Sequence, residues 1–394
     1  MGNPAAIRDK VAIIGMGCTK FGENWDWSAE DMMIDATFEA LEDAGIGLKD
    51  IEAAWVGTQQ TGINGLLLAQ PLKLGPIPIT RVENGCATGI DTIRQAVTAI
   101  ACGLYDIVLC VGIEKLKESG FSGLPEFFFD PVYNQGATAP GRWALPATRY
   151  FAHYGLTPEE GKTCLAKIAV KNHHNGSMCP KAHLQRKVTL EQALNAPIIA
   201  WPLGLFDCCA VTDGAAAAVL CRADMAKNFR DDYILIKGIG LAMGPGWGKE
   251  DVDFIYDRMP ETIRAGELAY EQAGITNPRK EISIAQLHDC FTIAEMLEYE
   301  ALQFAPIGQA KQDIDAGTFE LTGELPINTD GGLKSFGHPI GATGVRMVYE
   351  CYKQLQGKAE LPERQLKNLK MALAMPQFGH PGFLGPIVCI TALP

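Results

Sequence analysis

Cys86 stands in the stretch ENGCATG, between a short strand-like run and a long amphipathic segment. A thiol at the N-terminus of a helix meets unpaired backbone amides and the positive end of the helix dipole, which lower its pKa and favour the thiolate. Gly85 and Gly89 flank the cysteine and permit a tight turn and the close approach of a ligand. A buried structural cysteine is the alternative, but the polar, glycine-containing setting favours a nucleophile.

Two histidines occur in the same tetrapeptide, Phe-Gly-His-Pro, although the chain contains only 7 histidines. His338 lies in FGHPIGATG, just before a second glycine-rich helix start, and His380 lies in FGHPGFLG. A nucleophilic cysteine needs a base, and the pKa of imidazole suits that task. We therefore predict that His338 activates Cys86. The alternative is a histidine that only caps a turn.

A third group of polar residues is QLHDCFT, at the end of the strand-like run ISIAQL. Side chains at the carboxyl end of a strand commonly face the ligand site in α/β proteins. His288 could donate a hydrogen bond to a developing oxyanion, and Cys290 could transfer a proton. Cysteine is often buried, so a core position is the alternative for Cys290.

The elements that would position these residues form an internal repeat. The segment starting at Gly85, GCATGIDTIRQAVTAIACG, and the segment starting at Ile340, IGATGVRMVYECYKQLQG, align at Ala-Thr-Gly. Both have apolar residues at helical spacing, a glycine stop and a following apolar strand. We predict an α/β chain with pseudo-symmetric halves, 1–232 and 233–394, with helices between and around mixed sheets. The symmetry would bring His338 close to Cys86.

Composition excludes several classes of protein. The hydrophobic content of 47% and charged content of 20% are typical of a globular chain. No run is long and apolar enough to span a membrane and no secretory signal is evident, so we expect a cytoplasmic protein without membrane contact. The 12 cysteines include no C-x-x-C pair, so no metal site is predicted. A net charge of −12 argues against nucleic-acid binding.

Ordered motifs along nearly the whole chain resemble the thiolase superfamily, in the branch of sterol-carrier-protein-type thiolases and archaeal acetyl-CoA acetyltransferases. They are VAIIGMGCTKFG, RVENGCATG, DIVLCVGIEK, FDCCAVTDGAAAAVL, HDCF and GGLKSFGHPIGATG. The resemblance implies the thiolase fold, a five-layered α-β-α-β-α core with an inserted loop domain, here about residues 120–202. It also implies coenzyme A thioester chemistry without a tightly bound cofactor, and a homodimer.

The resemblance implies roles for the candidate residues. Cys86 corresponds to the acyl-accepting nucleophile and His338 to the histidine that activates it. His288 takes the place of the asparagine in the family's Asn-Glu-Ala-Phe motif and would help to hold an oxyanion. Thiolases usually carry a second reactive cysteine in Cys-x-Gly near the end of the chain, where this sequence has His380-Pro381-Gly382. The group that protonates the enolate is therefore Cys290, His380 or both.

The implied reaction is cleavage of a β-ketoacyl-CoA by CoA, or the reverse Claisen condensation, through an acyl-Cys86 intermediate. Retro-aldol cleavage of a β-hydroxyacyl-CoA and a non-catalytic, acyl-CoA-binding subunit are the alternatives. The expected CoA contacts come from a basic stretch, residues 169–187, and from two glycines beside the histidines: Lys171, His174, Arg186, Gly337 and Gly382. The basic stretch has the alternative of a solvated surface.

The inserted segment is rich in aromatic residues, namely Phe127, Phe128, Phe129, Tyr133, Trp143, Tyr150, Phe151 and Tyr154. Such residues could line a pocket for a bulky or aromatic acyl group, such as that of benzoylsuccinyl-CoA, or form a partner surface. Relatives of this architecture resemble the thiolase-like half of a complex with a small zinc-ribbon/OB-fold protein. Such a protein is therefore an expected second partner.

Overall fold

The computed structural model describes residues 5–119, 138–245 and 254–394. The predicted aromatic residues Phe127, Phe128, Phe129 and Tyr133 lie outside these ranges. Within them, no helix is both long and apolar enough to cross a membrane.

Strands and helices alternate as far as the strand Ile107–Glu114, and runs of one type follow in the rest of the chain. The strands are β1 (Val11–Cys18), β2 (Ala53–Gly57), β3 (Ile79–Val82), β4 (Ile107–Glu114), β5 (Ile198–Ala200), β6 (Leu203–Gly204), β7 (Gly214–Arg222), β8 (Ile234–Leu241), β9 (Ile284–Leu287), β10 (Met371–Met375), β11 (Gln377–Phe378) and β12 (Gly385–Ala392). The helices are α1 (Ala29–Ala44), α2 (Leu66–Leu72), α3 (Thr88–Ala101), α4 (Ala139–His153), α5 (Pro158–Gly176), α6 (Leu190–Leu194), α7 (Pro260–Ala273), α8 (Pro278–Glu281), α9 (Thr292–Ala301), α10 (Ala310–Asp315), α11 (Gly332–Ser335) and α12 (Ile340–Leu355). Short 3₁₀ turns cover Leu48–Asp50, Lys117–Ser119, Leu205–Asp207, Ala223–Asn228 and Pro362–Arg364.

The main sheet repeats one strand pattern on both sides of its centre. Its order is β3-β2-β4-β7-β1-β8-β12-β10-β9, and the short β11 pairs with β12. On one side β1–β7 and β7–β4 are antiparallel and β4–β2 is parallel. On the other side β8–β12 and β12–β10 are antiparallel and β10–β9 is parallel. The two sides meet where β1 pairs with β8, so the predicted pseudo-symmetric α/β halves are confirmed. The boundary between residues 232 and 233 stays a prediction.

The central helices α3 and α12 separate the two halves of the sheet. Helix α12 contacts β4 and β7 on one side and β9 and β10 on the other. Helix α1 covers the outer face of β1 and β7, and α7 covers β8 and β12. In β1, Val11 and Ile13 belong to the central core, whereas Ala12 and Ile14 pack with α1. The central strands β1, β4, β7 and β12 are buried on both faces, which explains their continuously apolar sequences and completes the five layers.

The two central helices cross at the glycine of each Ala-Thr-Gly triplet. A Cβ atom on Gly89 would lie 2.7 Å from the backbone nitrogen of Gly344, and one on Gly344 would lie 2.5 Å from that of Ile90. Neither distance is compatible with a side chain unless a helix moves. The repeat therefore brings the N-termini of α3 and α12 together, and with them the segments that carry Cys86 and His338.

Substitution of Gly89 by alanine is expected to lower the free energy of unfolding by about 1–2 kcal/mol. Overpacking costs about 1–3 kcal/mol, and the higher helix propensity of alanine offsets up to about 1 kcal/mol of it. Urea denaturation measures the change. Gly75→Ala is the matched control because a Cβ there has open space around it. Equal stability of the two variants would contradict the close crossing.

Candidate active site

Cys86 occupies a turn that only glycine can complete. It directly precedes Ala87, the N-cap of α3, and Gly85 has a φ of +52°. A Cβ on Gly85 would lie 2.2 Å from the ring of Phe378. The Thr88 hydroxyl accepts a hydrogen bond from the Asn84 amide (2.8 Å) and donates one to the Gly85 carbonyl (2.6 Å). The thiol is thereby held, half-buried, at the start of the central helix.

His338 lies against this thiol, as predicted. Its Nε2 is 3.3 Å from the Cys86 Sγ, and its side chain is fully buried. Its Nδ1 is 2.7 Å from the hydroxyl oxygen of Thr343, whose proton is donated to the Pro339 carbonyl (3.0 Å). Because that proton is committed, the hydroxyl oxygen accepts from Nδ1–H. The neutral ring therefore turns the lone pair of Nε2 towards the thiol, the arrangement that a general base requires.

The residues around His338 keep its imidazole neutral. Burial, with a smaller contribution from the Arg346 guanidinium, lowers the pKa of His338 to about 3. Arg346 is itself buried and forms an ion pair with Asp330 (2.6 Å). An imidazolium would consequently form only together with a thiolate beside it, because that anion would offset the cost of burying the positive charge.

Thr343→Val is expected to slow Cys86 acylation about tenfold, since a buried Nδ1–H without an acceptor costs about 1–3 kcal/mol and each 1.4 kcal/mol is about tenfold in rate. Thr343→Ser keeps the acceptor and should restore the rate. The pH profile of kcat/KM, compared among the three proteins, separates a change in the pKa of His338 from a loss of packing. Similar rates for the valine and serine variants would contradict this role of Thr343.

His288 completes the cluster that we name the Cys–His–His site: Cys86, His288 and His338. One potential ligand atom of each residue lies within 4.8 Å of the others. The rings of His288 and His338 meet edge to face, with centroids 5.2 Å apart. The backbone N–H of His288 donates to the Glu298 carboxyl group (2.8 Å), which fixes the segment after β9. Burial, His338 and Arg346 lower the pKa of His288 well below its ordinary value, so its ring is neutral too.

Cys290 lies beside the Cys–His–His site as a buried thiol. Its carbonyl accepts from the Cys209 amide (2.9 Å). Burial raises the pKa of Cys290 well above its ordinary value, and Cys209 and Cys86 oppose its ionisation further. The thiol is thus protonated at neutral pH. It has the protonation state of an acid rather than of a nucleophile.

His380 lies on a loop that reaches the Cys86 turn, because Phe378 of this loop packs on Gly85. Its Nε2 is 3.2 Å from Nη1 of Arg142, and its Nδ1 is 3.1 Å from the Pro381 carbonyl. Burial and the guanidinium lower the pKa of His380 to about 4. The ring therefore has a cation at one nitrogen and a carbonyl at the other. These contacts leave it poorly suited to give up a proton.

Two carboxylates support the site in ways that the sequence analysis missed. Asp289 accepts hydrogen bonds from the amides of Leu333 (2.6 Å) and Lys334 (3.0 Å), which positions the segment leading to His338. Glu114, at the end of β4, accepts from the Gly341 amide (3.1 Å) and from the amides of residues 59–61. A charged residue at the end of an apolar strand was the available signal for both.

The expected CoA-binding residues are found in different environments. Lys171 is buried and its ammonium group contacts Glu295 (2.5 Å) and the Ile327 carbonyl (3.0 Å), so it is turned away from solvent. Arg186 is exposed and His174 is half-buried. Burial and then Lys187 lower the pKa of His174.

The two glycines expected to contact CoA have backbone conformations that favour glycine. Gly337 and Gly382 have φ values of +125° and +94°. A Cβ on Gly337 would lie 2.6 Å from the methyl carbon of Thr212. Gly337 therefore brings its backbone close to Thr212, and the contact of both glycines with CoA stays a prediction.

His173, in the same basic stretch, is a buried neutral histidine. Its Nδ1 is 3.0 Å from the Arg186 carbonyl, and burial followed by Lys334 lowers its pKa to about 4. The unfolded chain binds this proton more readily, so His173 should destabilise the fold as pH falls from about 6.5 to 4, by up to about 3 kcal/mol. His173→Asn keeps a donor near Nδ1, and urea denaturation across this range should show a shallower loss. Parallel stability curves for both proteins would contradict the prediction.

The described aromatic residues of the insertion mostly serve packing. Trp143, Tyr150 and Phe151 lie on α4 and are buried, and Tyr154 follows them half-buried. The Trp143 ring is 6.1 Å from that of Phe291, next to Cys290. These rings attach the insertion to α9. They form neither an open pocket nor an exposed surface.

Comparisons with known proteins agree with this architecture. The Thiolase, N-terminal domain family model matches residues 11–224, and the Thiolase C-terminal domain-like model matches residues 250–381. Acetyl-CoA acetyltransferase of Methanothermobacter thermautotrophicus is 36% identical over 385 residues, covering 93% of this chain and 95% of the relative. Benzoylsuccinyl-CoA thiolase subunit BbsB of Thauera aromatica is 32% identical over 368 residues, covering 89% and 90%.

A solved structure is similar in fold over almost the whole chain. The Ltp2-ChsH2(DUF35) aldolase aligns with a TM-score of 0.83 and 28% identity, covering 97% of this chain and 98% of that chain. The family models and the relatives above 30% identity cover most of the sequence, as the motifs led us to expect. The chain therefore belongs to the thiolase superfamily, in the branch that contains archaeal acetyl-CoA acetyltransferases and sterol carrier protein 2.

Proposed function

We propose that the protein is a thiolase-type acyltransferase that cleaves a β-ketoacyl-CoA with CoA, or runs the reverse condensation, through an acyl group on Cys86. The observation that carries this proposal is the direction of the His338 ring. Thr343 holds the proton on Nδ1, and the lone pair of Nε2 faces the Cys86 thiol at 3.3 Å. Coenzyme A is then a substrate, and the reaction needs no tightly bound cofactor.

The first half-reaction begins when His338 takes the thiol proton of Cys86. The thiolate attacks the keto carbon, and the oxyanion that forms receives a hydrogen bond from the neutral ring of His288. Collapse of this adduct breaks the C–C bond, leaves the acyl group on Cys86 and releases the second fragment as the enolate of an acyl-CoA. Protonation of the enolate carbon completes the first product.

We assign this protonation to Cys290 rather than His380. The Cys290 thiol is protonated because burial raises its pKa well above the ordinary value. Its thiolate would regain a proton in the second half-reaction, when free CoA–SH is deprotonated and attacks the acyl-Cys86 thioester. Cys86 then leaves as the thiolate and takes back the proton held by His338. Over one turnover, the proton of CoA–SH ends on the enolate carbon, and all protein groups return to their starting states.

Peptide mass spectrometry after brief incubation with β-ketoacyl-CoA substrates tests the proposal. Acetoacetyl-CoA and benzoylsuccinyl-CoA provide a small and a bulky aromatic acyl group, respectively. We expect the mass of one acyl group on the peptide with Cys86, none in Cys86→Ala, and normal acylation in Cys102→Ala, which removes an exposed thiol. Turnover by Cys86→Ala would overturn the proposal. Binding of CoA without acylation of Cys86, with any partner present, would indicate a non-catalytic subunit.

Retro-aldol cleavage of a β-hydroxyacyl-CoA is the second candidate function, favoured by the likeness to the Ltp2-ChsH2(DUF35) aldolase. It forms no acyl-enzyme and consumes no CoA. Release of an aldehyde or ketone in the absence of free CoA, retained in Cys86→Ala, would support this function instead.

We also propose two protein partners: a second copy of this chain and a DUF35-type zinc-ribbon/OB-fold protein. Two similar proteins support the latter, since one is named as a thiolase subunit and the other as an Ltp2-ChsH2(DUF35) aldolase. Co-expression with such a protein, followed by size-exclusion chromatography with light scattering, tests both. For CoA itself we retain His174, Arg186, Gly337 and Gly382 as contacts, and omit Lys171 because of its buried ion pair.

A further inference from the structure

The Cys–His–His site has the composition of a metal site as well as that of an acyl-transfer site. Its three potential ligand atoms lie within 4.8 Å of one another. The three residues come from the turn before α3, the end of β9 and the turn before α12, so no local spacing in the sequence reveals the set. We propose that Cys86, His288 and His338 bind a zinc ion, which reversibly blocks the nucleophile.

The distance between the Cys86 thiol and the His338 ring already suits a zinc ion. Zinc binds thiolate sulfur at about 2.3 Å and imidazole nitrogen at about 2.0–2.1 Å, in tetrahedral geometry. Those bonds place a sulfur and a nitrogen ligand about 3.5 Å apart. The Cys86 Sγ and the His338 Nε2 are 3.3 Å apart. A small rotation of the thiol would admit the ion between them.

The hydrogen bonds also suit a metal. A histidine ligand usually donates its other ring N–H to an orienting acceptor, and His338 donates Nδ1–H to Thr343. Among the described residues, the buried Nδ1 of His288 has no hydrogen-bond partner, so no competing bond holds that ring away from the ion. Zinc binds cysteine as the thiolate, so binding at this site releases the proton of Cys86.

The surrounding charges favour a reversible site over a permanent one. Arg346 of α12 opposes a dication, although Asp330 partly neutralises it at 2.6 Å. Glu298 of α9 and Asp289 after β9 contribute carboxyl groups next to His288. Three protein ligands leave the fourth position open, as in zinc sites that exchange their last ligand. Magnesium prefers oxygen ligands and should not bind here.

Cobalt spectroscopy tests the site without relying on turnover. The full-length protein, freed of metal by a chelator, is titrated with Co²⁺ under nitrogen. We expect a thiolate-to-cobalt charge-transfer band and tetrahedral visible bands that saturate at one equivalent and disappear when Zn²⁺ is added. Zn²⁺ should also slow alkylation of Cys86 by iodoacetamide at least about tenfold, with recovery after EDTA and no effect of Mg²⁺.

Variants identify the ligands. Cys86→Ser should lose the charge-transfer band, and His288→Ala should weaken zinc protection of Cys86 at least about tenfold. His288→Gln provides the same test if the alanine variant does not fold. Cys102→Ser should behave like the unaltered protein. The proposal would be overturned if Cys102→Ser lost the charge-transfer band and Cys86→Ser kept it. Unchanged zinc protection of Cys86 in a folded His288 variant would also overturn it. Because neither readout involves an acyl group, failure of the acyltransferase proposal would be recognised separately.

Discussion

Replacing His338 with alanine is expected to slow the acylation of Cys86 by about 10²–10⁴-fold, the usual contribution of a general base. The thiol would then have to lose its proton without a neighbouring acceptor, from a half-buried position. Rapid-quench mass spectrometry of the acyl-enzyme measures this step directly. The expected change is in the rate constant of acylation, with little change in substrate affinity.

Two controls separate the loss of a base from the loss of structure. Added imidazole should partly restore acylation by filling the cavity left in His338→Ala. Iodoacetamide alkylation of Cys86 should be rapid near neutral pH in the unaltered protein. In the variant, the rate of alkylation should rise only as the pH approaches the pKa of an ordinary thiol, about 8.5. Acylation at the unaltered rate in a folded variant would rule out His338 as the base.

Replacing His288 with alanine is expected to lower the acylation rate by about 10²–10³-fold, the typical effect of removing an oxyanion donor. Alkylation of Cys86 should change little, because iodoacetamide creates no oxyanion on carbon that needs His288. The two reactions together distinguish a donor to the oxyanion from a residue that activates the thiol. His288→Asn retains a side-chain N–H and should recover part of the rate. Equal losses in both reactions would contradict the assignment.

The sequence predicted the parts of the site that depend on local chemistry. Cys86 and His338 each stand beside glycines at a helix start, and His288 follows an apolar strand. The internal repeat added the long-range information, since equivalent helices had to meet across the pseudo-symmetry. The cluster on which the zinc proposal rests was not predictable from local spacing, because its members are separated by 202 and 50 residues.

Other features depend on partners that are distant in sequence. Lys171 was expected to contact CoA, but it is buried, and Glu295 and the Ile327 carbonyl offset the cost of burying it. Trp143 and Tyr150 were assigned to a pocket or a partner surface, yet α4 packs them into the core. The sequence indicates only that Thr343 belongs to the repeated Ala-Thr-Gly triplet. Its effect on the His338 tautomer follows from one hydrogen bond to the Pro339 carbonyl.

The close packing of the start of α12 against strands β2 and β4 also makes the two halves chemically unequal. Gly341 is the symmetry equivalent of Cys86, but a Cβ there would lie 2.5 Å from the carbonyl oxygens of both Gly57 and Ile113. The duplicated scaffold thus has room for a nucleophile at one helix start only. The start of α12 instead carries the proposed base, His338. Steric exclusion thus gives different chemical roles to the two copies of the repeated unit.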